Sequence, residues 1–461
     1  MNSTTKLERV TNRVRSRILI IPSFKATKLD NYRDIFVYLP PSYSDQQDTR
    51  YPVMYMHDGQ NIFKPADVSR ESWNVHTTVD RMVSSGRIRE IIVVGVPNMG
   101  SERWNEYMHD APSDFFVNVV PKGDLYEDFL VNELKPYIDS HFRTLSAAKH
   151  TALVGSSMGG LVTYNIGFRN PQTFGLLGIL SPYFVATNPR TLQESVLYQM
   201  YSAPHPGKVW IDIGGMEGLI RVDHVKQIVR SLLAQGMKYE DQVVFLQDIN
   251  ALHSERFWEH RMTSVLQYFF GHKGHLISAE MNGIDQVGIS GMETEINTVL
   301  TFDSGLVISD LNGKYDVENT NIIDVKPDGQ IGARSVGTTR VIYRREGIQT
   351  ARTYSVRDYV EEFVTVSVHI SVPSSTPSNA SIFCGGIEIP ATERNTYSRN
   401  FRVRRGSGFD FGVSQSIHVH EVTHDGNRIH RSCVVDDDLT LDIEVQAWSD
   451  TVSSNHSDTT H

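Results

Sequence analysis

Over residues 1 to about 272, short and nearly continuous apolar runs alternate with longer stretches whose apolar positions recur every three or four residues. The runs at 18–21, 34–38, 52–56, 90–96, 151–154, 176–180, 209–213 and 242–246 predict strands. The stretches at 71–84, 125–141, 158–169, 224–235 and 254–270 predict helices. A strand that is apolar at nearly every position is buried on both faces. The alternation therefore predicts a mostly parallel sheet with helices on each side. Within 125–141, Leu125, Phe129, Leu130, Leu134, Tyr137 and Ile138 form the stripe expected to face that sheet.

Past Phe270-Gly271 the helical period stops. Short β-rich segments follow, separated by turns such as Asp310-Leu311-Asn312-Gly313 and Lys326-Pro327-Asp328-Gly329. Lys273-Gly274-His275 reads as a linker, and a second break falls near 358–362. The predicted organisation is an α/β domain over 1–272, β-sandwiches over 276–358 and 361–450, and a polar tail over 451–461 expected to be disordered.

Composition narrows the function. The chain has 461 residues, 39% hydrophobic and 21% charged, as in an ordinary globular protein. A net charge of −10 argues against nucleic acid or an anionic membrane as partner. No apolar run approaches the roughly 20 residues of a membrane span. The first residues lack the apolar core of a secretion signal, so a cytoplasmic location is expected. In that reducing setting the two cysteines, Cys384 and Cys433, are expected to be buried free thiols, with a disulfide across a small β domain as the alternative.

The candidate chemistry lies where Thr151-Ala152-Leu153-Val154 runs into Gly155-Ser156-Ser157-Met158-Gly159-Gly160. Gly-x-Ser-x-Gly alone arises by chance in about one chain in six of this length. With a strand before it and a helix after it, the motif has the form of a nucleophile elbow. A serine hydroxyl is a weak nucleophile, so it must be presented to a base. The turn exposes Ser157, and the Met158 N–H at the helix start can donate to an oxyanion. The base should follow in sequence, with an acid between. His253, in the loop between the last predicted strand and helix, is the candidate base; His57 and His109 precede the serine. Val209-Trp210-Ile211-Asp212-Ile213-Gly214-Gly215-Met216-Glu217 holds two acids. Glu217, past the strand end where catalytic groups of open α/β sheets sit, is preferred over Asp212 within the strand. The second oxyanion donor is expected in His57-Asp58-Gly59-Gln60-Asn61, at the N–H of Gln60. No further cluster with metal spacing accompanies His57-Asp58, so no metal site is expected.

Tyr38-Leu39-Pro40-Pro41-Ser42-Tyr43, the segment from Tyr51 to Phe63, Gly155–Gly160 and Leu252-His253-Ser254-Glu255-Arg256-Phe257-Trp258 together resemble the esterase D-like family of α/β-hydrolases. That family includes enterochelin, feruloyl and acetylxylan esterases and the mycolyltransferases. The resemblance spans about residues 15–272. It implies Ser157 as nucleophile, His253 as base, an acid at Glu217, and oxyanion amides at Gln60 and Met158. It also implies a pocket near Asn61, Trp104, Asn105 and Tyr107. Residues 315–343 resemble a bacterial immunoglobulin-like repeat, and 363–448 resemble a starch-binding-type sandwich. Gly412-Val413-Ser414-Gln415-Ser416 departs from the latter pattern, lacking its usual tryptophan. Sugar stacking needs exposed aromatic faces, and Trp448 is expected to be buried, so a spacer or interaction role stands beside sugar binding.

The expected protein is thus an α/β hydrolase followed by two all-β sandwiches. Its expected activity is that of a serine carboxylic-ester hydrolase, without metal or organic cofactor. Expected substrates are an acylated carbohydrate or a siderophore-like ester. Acyl transfer to a sugar or lipid hydroxyl is the chemical alternative, and a non-catalytic scaffold is the alternative of another class. Because 1–272 holds every candidate catalytic residue, a chain cut after Gly271 is expected to keep near-full activity on small esters.

Overall fold

The computed structural model describes residues 16–63, 71–113, 115, 117–218, 222–416 and 419–451. The expected tail lies outside these residues, apart from its first position. Eight strands form one sheet: β1 (Arg17–Ala26), β2 (Asn31–Leu39), β3 (Val53–His57), β4 (Ile92–Val96), β5 (Thr151–Ser156), β6 (Leu176–Leu180), β7 (Lys208–Gly214) and β8 (Val243–Asp248). Their order is β1-β2-β4-β3-β5-β6-β7-β8. β1 and β2 run antiparallel to their neighbours, and the pairs from β4 onward are parallel.

Alternation along the strands divides the core. Met54, Met56, Val154, Trp210 and Val244 face one side, with α1 (Val75–Ser84) and α5 (Glu255–Phe270). Val53, Tyr55, Leu153, Ile211 and Phe245 face the other, with α2 (123–141), α3 (Met158–Arg169) and α4 (Val222–Ala234). All five residues of β3 are buried, the mark of a strand covered on both faces.

Two helical details differ from expectation. α1 begins at Val75, not at 71. In α2, Leu125 is 37% exposed and Tyr126 takes the buried place. A wider π-type turn over Phe129–Leu134 interrupts the α geometry, so a uniform 3.6-residue period cannot describe the whole stripe.

Beyond Phe270 the described residues form strands, turns and loops. In the middle module a sheet of Leu276–Asn282, Asn297–Phe302 and Val307–Ser309 accompanies one built on Gln286–Gly291, Tyr315–Val317, Gly337–Arg345 and Ile348–Val360. Its last strand ends at Val360, two residues past the expected module end at 358 and inside the 358–362 stretch where the break is expected. The next module begins with Phe363–Ser371, which pairs with Thr396–Arg404 and Leu439–Glu444. Trp448 is 1% exposed, its Nε1 donating to Thr376 Oγ1 at 2.9 Å, so it offers no stacking face. Cys384 and Cys433 are free; Cys384 is buried and Cys433 half-buried.

Candidate active site

β5 ends at a tight turn. Ser157 caps α3 with φ 57° and ψ −123°, a conformation costly for a residue with a Cβ. Its neighbours hold it there. The Ser157 N–H donates to the Leu180 carbonyl at 3.1 Å, and the Ser157 carbonyl accepts from Tyr183 N–H at 2.9 Å and Leu161 N–H at 3.0 Å. The flanking glycines allow close approach. A Cβ on Gly155 would lie 2.5 Å from the Gly159 carbonyl oxygen, and one on Gly159 would lie 3.2 Å from Asp58 Oδ2. The elbow thus packs directly on the loop after β3.

That loop is braced by charge. Asp58 accepts from Arg103 Nε at 2.7 Å and Nη2 at 2.9 Å, and from Asn98 Nδ2 at 2.6 Å. Burial pushes the Asp58 carboxyl up, but Arg103 and Asn98 outweigh it and hold the group below its ordinary value. His57 is buried, its Nδ1 2.9 Å from the Tyr126 hydroxyl. Burial drives its pKa down to about 3, so the ring is neutral at physiological pH. Among the described residues, neither the Gln60 nor the Met158 N–H enters the backbone hydrogen-bond network. Asn61 Nδ2 donates to Glu255 Oε1 at 3.1 Å, tying this loop to the segment just after His253.

The two acids have separate fates. Glu217, in the loop after β7, lies 2.9 Å through Oε2 from His253 Nδ1. Its Oε1 accepts from Gly214 N–H at 2.7 Å and from the Ser181 hydroxyl. Burial pushes the Glu217 carboxyl up, but His253, Arg261 and Ser181 together hold it below its ordinary value. Asp212 stays inside β7, fully buried, and accepts from Trp210 Nε1 at 2.7 Å. Arg261 Nη1 is 2.9 Å from Asp212 Oδ1, an ion pair without an aligned hydrogen bond. Burial raises the Asp212 carboxyl to about 6 against the pull of Arg261.

Arg261 and Ser181 are supporting residues that the sequence reading missed. Arg261 Nη2 donates to Ser181 Oγ at 2.7 Å and lies 3.3 Å from Glu217 Oε1; Trp258 Nε1 also donates to Ser181 Oγ, at 3.1 Å. One signal was available. Trp258, Arg261, Met262 and Val265 fall on one helical face, and an arginine in an apolar stripe needs a buried acid.

The expected pocket residues divide. Trp104 is half-buried and packs edge-to-face on Tyr183, whose N–H holds Ser157, so it stands beside the elbow. Asn105 spends its amide on the neighbouring chain, accepting from Val120 N–H at 2.8 Å and donating to Glu102 at 3.1 Å. Tyr107 is fully buried, its hydroxyl against Asp58, so it supports the loop and faces no open surface. Among the described residues one group has metal-ligand spacing, His109, Asp124 and Glu127. Arg169 already pairs with both of its acids, at 2.6 and 2.8 Å.

An eight-stranded, largely parallel sheet with a serine on a strained strand-to-helix turn defines an α/β-hydrolase. The family model described as "Putative esterase" matches residues 26–269, and the chain belongs to that esterase family. It is similar to the uncharacterized protein YbbA of Bacillus subtilis (strain 168), 23% identical over 248 residues, covering 52% of this chain and 93% of that protein. It is also similar to an endo-1,4-beta-xylanase/feruloyl esterase of Xylanibacter ruminicola, 31% identical over 154 residues, covering 32% of this chain and 19% of that protein. Among solved structures, a ferulic acid esterase aligns at 22% identity over 56% of this chain and 98% of its own, with a TM-score of 0.43. The protein is a carboxylic ester hydrolase.

Proposed function

We propose that hydrolysis runs through an acyl-enzyme on Ser157. His253 takes the serine proton as Oγ attacks the ester carbonyl, and Glu217 fixes the ring and stabilises the imidazolium. The Gln60 and Met158 amides hold the oxyanion. The tetrahedral intermediate collapses, the ester C–O bond breaks, and the alcohol leaves with the proton from His253. Water then attacks the acyl carbonyl, giving its proton to His253, and the acid is released as Ser157 regains its own. The observation that carries this reading is the 2.9 Å contact between Glu217 and His253 Nδ1. With Nδ1 donating to this carboxylate, Nε2 is the nitrogen that would accept the Ser157 proton. Asp212, held by Arg261 and Trp210, serves the support of this arrangement.

For the substrate, the name of the xylanase/feruloyl esterase relative and the enterochelin esterases of the family favour acylated carbohydrate or siderophore-like esters. The test is pre-steady-state release from p-nitrophenyl esters, followed by feruloylated and acetylated sugars. Wild type should show a burst. Ser157→Ala should abolish it and leave only the ~10³–10⁴-fold advantage over water that binding and the oxyanion hole give. Glu217→Gln should cost far more turnover than Asp212→Asn. A folded Asp212→Asn protein without turnover, beside an active Glu217→Gln protein, would reverse the assignment of the acid. Diversion of product to an added acceptor alcohol at the expense of water would instead mark a transferase.

A further inference from the structure

The C-terminal sandwich packs against the loop that carries Glu217. Its strand Ser407–Asp410 lies on Gly215 and Met216 so closely that a Cβ on Gly408 would sit 2.2 Å from the Gly215 carbonyl oxygen and 2.5 Å from Met216 Sδ. Nearby, Arg399 donates to the carbonyls of Pro189 at 3.1 Å and Arg190 at 2.7 Å, and Arg404 pairs with Asp223 at 2.9 Å. The sandwich is therefore fixed relative to the catalytic loop at several points.

Between the two lies a cavity of about 180 Å³, with Glu217 and Gly218 on one wall and Asp410, His420, Arg428 and His430 on the other. Its acids are committed. Glu217 serves His253, and Arg261 stands 3.3 Å away; Glu421 is held bidentately by Arg431; Asp410 accepts the Gly412 N–H at 3.1 Å. Arg428 differs. Among the described residues its guanidinium makes no hydrogen bond or close ion pair, and it is exposed. Its charge is felt at Glu255, two positions past His253, whose carboxylate already accepts from Asn61. An uncommitted cation thus stands on the sandwich wall and faces the loops that carry the acid and the base. Guanidinium binds carboxylate through two parallel hydrogen bonds.

We propose that this cleft is a substrate subsite for a carboxylate borne by the ester, with Arg428 of the C-terminal sandwich as its specificity-determining residue. The inference rests on the serine-esterase reading above.

The test uses the full chain at pH 7.5, where simple carboxylates are ionised. Two matched pairs place the charge at either end of the ester. The pair 4-acetoxybenzoate and methyl 4-acetoxybenzoate carries it on the leaving group. The pair mono-p-nitrophenyl adipate and p-nitrophenyl hexanoate carries it on the acyl group. The readout is the ratio of kcat/KM, charged over neutral, within each pair, so a general loss of activity cancels. In at least one pair Arg428→Gln should lower that ratio about fivefold, mainly through KM, the scale of one partly exposed charge pair. Arg428→Lys should restore part of it. Ratios unchanged by Arg428→Gln in both pairs overturn the subsite. If Ser157→Ala keeps full turnover, the acyl-enzyme reading fails instead, whatever Arg428 does.

Discussion

The apolar core of the middle sandwich is continuous with that of the hydrolase segment, whereas the C-terminal sandwich keeps a core of its own. Trp258, Met262, Leu266 and Phe270 belong to one buried cluster with Leu276, Leu300, Phe302 and Leu306. Polar bonds reinforce that seam: the Gln247 N–H donates to Ser309 Oγ at 3.0 Å and Asn297 Nδ2 donates to the Gln247 carbonyl at 3.0 Å. These contacts lie along β8, an edge of the sheet, which the middle module covers. The C-terminal core, built on Val366, Val368, Ile382 and Phe409, is a separate cluster; the hydrolase segment adds the partly buried Leu192 to its edge and otherwise meets this sandwich through charged and backbone contacts and at Gly408. A sequence boundary therefore marks an energetic boundary at one linker and not at the other. The first linker joins two halves of one core, and the second joins a separate body that leans on the Glu217 loop.

The largest expected effect comes from cutting at the first linker. A chain ending at Gly271 would leave β8 an open sheet edge and uncover the hydrolase side of the shared cluster, each buried large side chain there being worth ~1.5–3 kcal/mol. That sum is a large share of the ~5–15 kcal/mol of a typical domain. The fragment should aggregate or lose cooperative unfolding in size-exclusion and circular dichroism measurements. This replaces the sequence-based expectation of a self-sufficient 1–271 domain; a monodisperse fragment that melts close to the full chain would restore it. A chain ending at Val360 should behave differently. It should fold, melt as one unit and lose up to about tenfold in turnover, ~1.4 kcal/mol in the barrier, because Gly408 no longer backs the Glu217 loop.

Single ion pairs sharpen the same contrast. At the middle seam Glu295 pairs with the buried Lys226 and with Arg230 at 3.2 Å. Glu295→Gln strands a buried ammonium and should cost about 2 kcal/mol, read as a lower urea midpoint. Burial pushes the Glu295 carboxyl up, but Lys226 and Arg230 outweigh it and hold it below the ordinary value. Its contribution is therefore whole above the ordinary carboxylate range and is lost as pH falls through the lowered value. Wild type and variant should converge in acid. At the outer interface Arg190, its side chain 73% exposed, pairs with Glu388. Arg190→Ala should leave the melting temperature unchanged, since solvent and salt screen such a pair.

Much of this was legible beforehand because it is local. Eight apolar runs correspond to the eight strands. β1, at the sheet edge, leaves Ile18, Leu19 and Ile20 exposed, against the expectation of burial on both faces. From β3 to β8 the correspondence holds because a doubly covered strand needs apolar residues at successive positions. The turn at Ser157 and the helix after it were legible for the same reason. The misreadings have local causes too. Leu125 looked like a core position because the uniform period ignores the π-type turn that follows. Tyr107 looked like a pocket residue by analogy of position, while its hydroxyl is engaged by Asp58.

What the sequence by itself determined is the run of elements and the types of side chain at their ends. A strand passes into Gly-Ser-Ser-Met-Gly, a glutamate follows one strand, and a histidine precedes the last helix. Which carboxylate meets His253 was decided only in three dimensions. Asp212 points into a core where Trp210 and Arg261 take it, and Glu217, five residues on, reaches the imidazole across 36 positions of chain. The same holds for Ser181 and Arg261, 80 residues apart, and for Gly408 lodged against Gly215. Periodicity reports burial, because burial repeats with the local backbone geometry. It says nothing of which buried group faces which, since that depends on how distant elements pack and on which polar partners the interior obliges them to find.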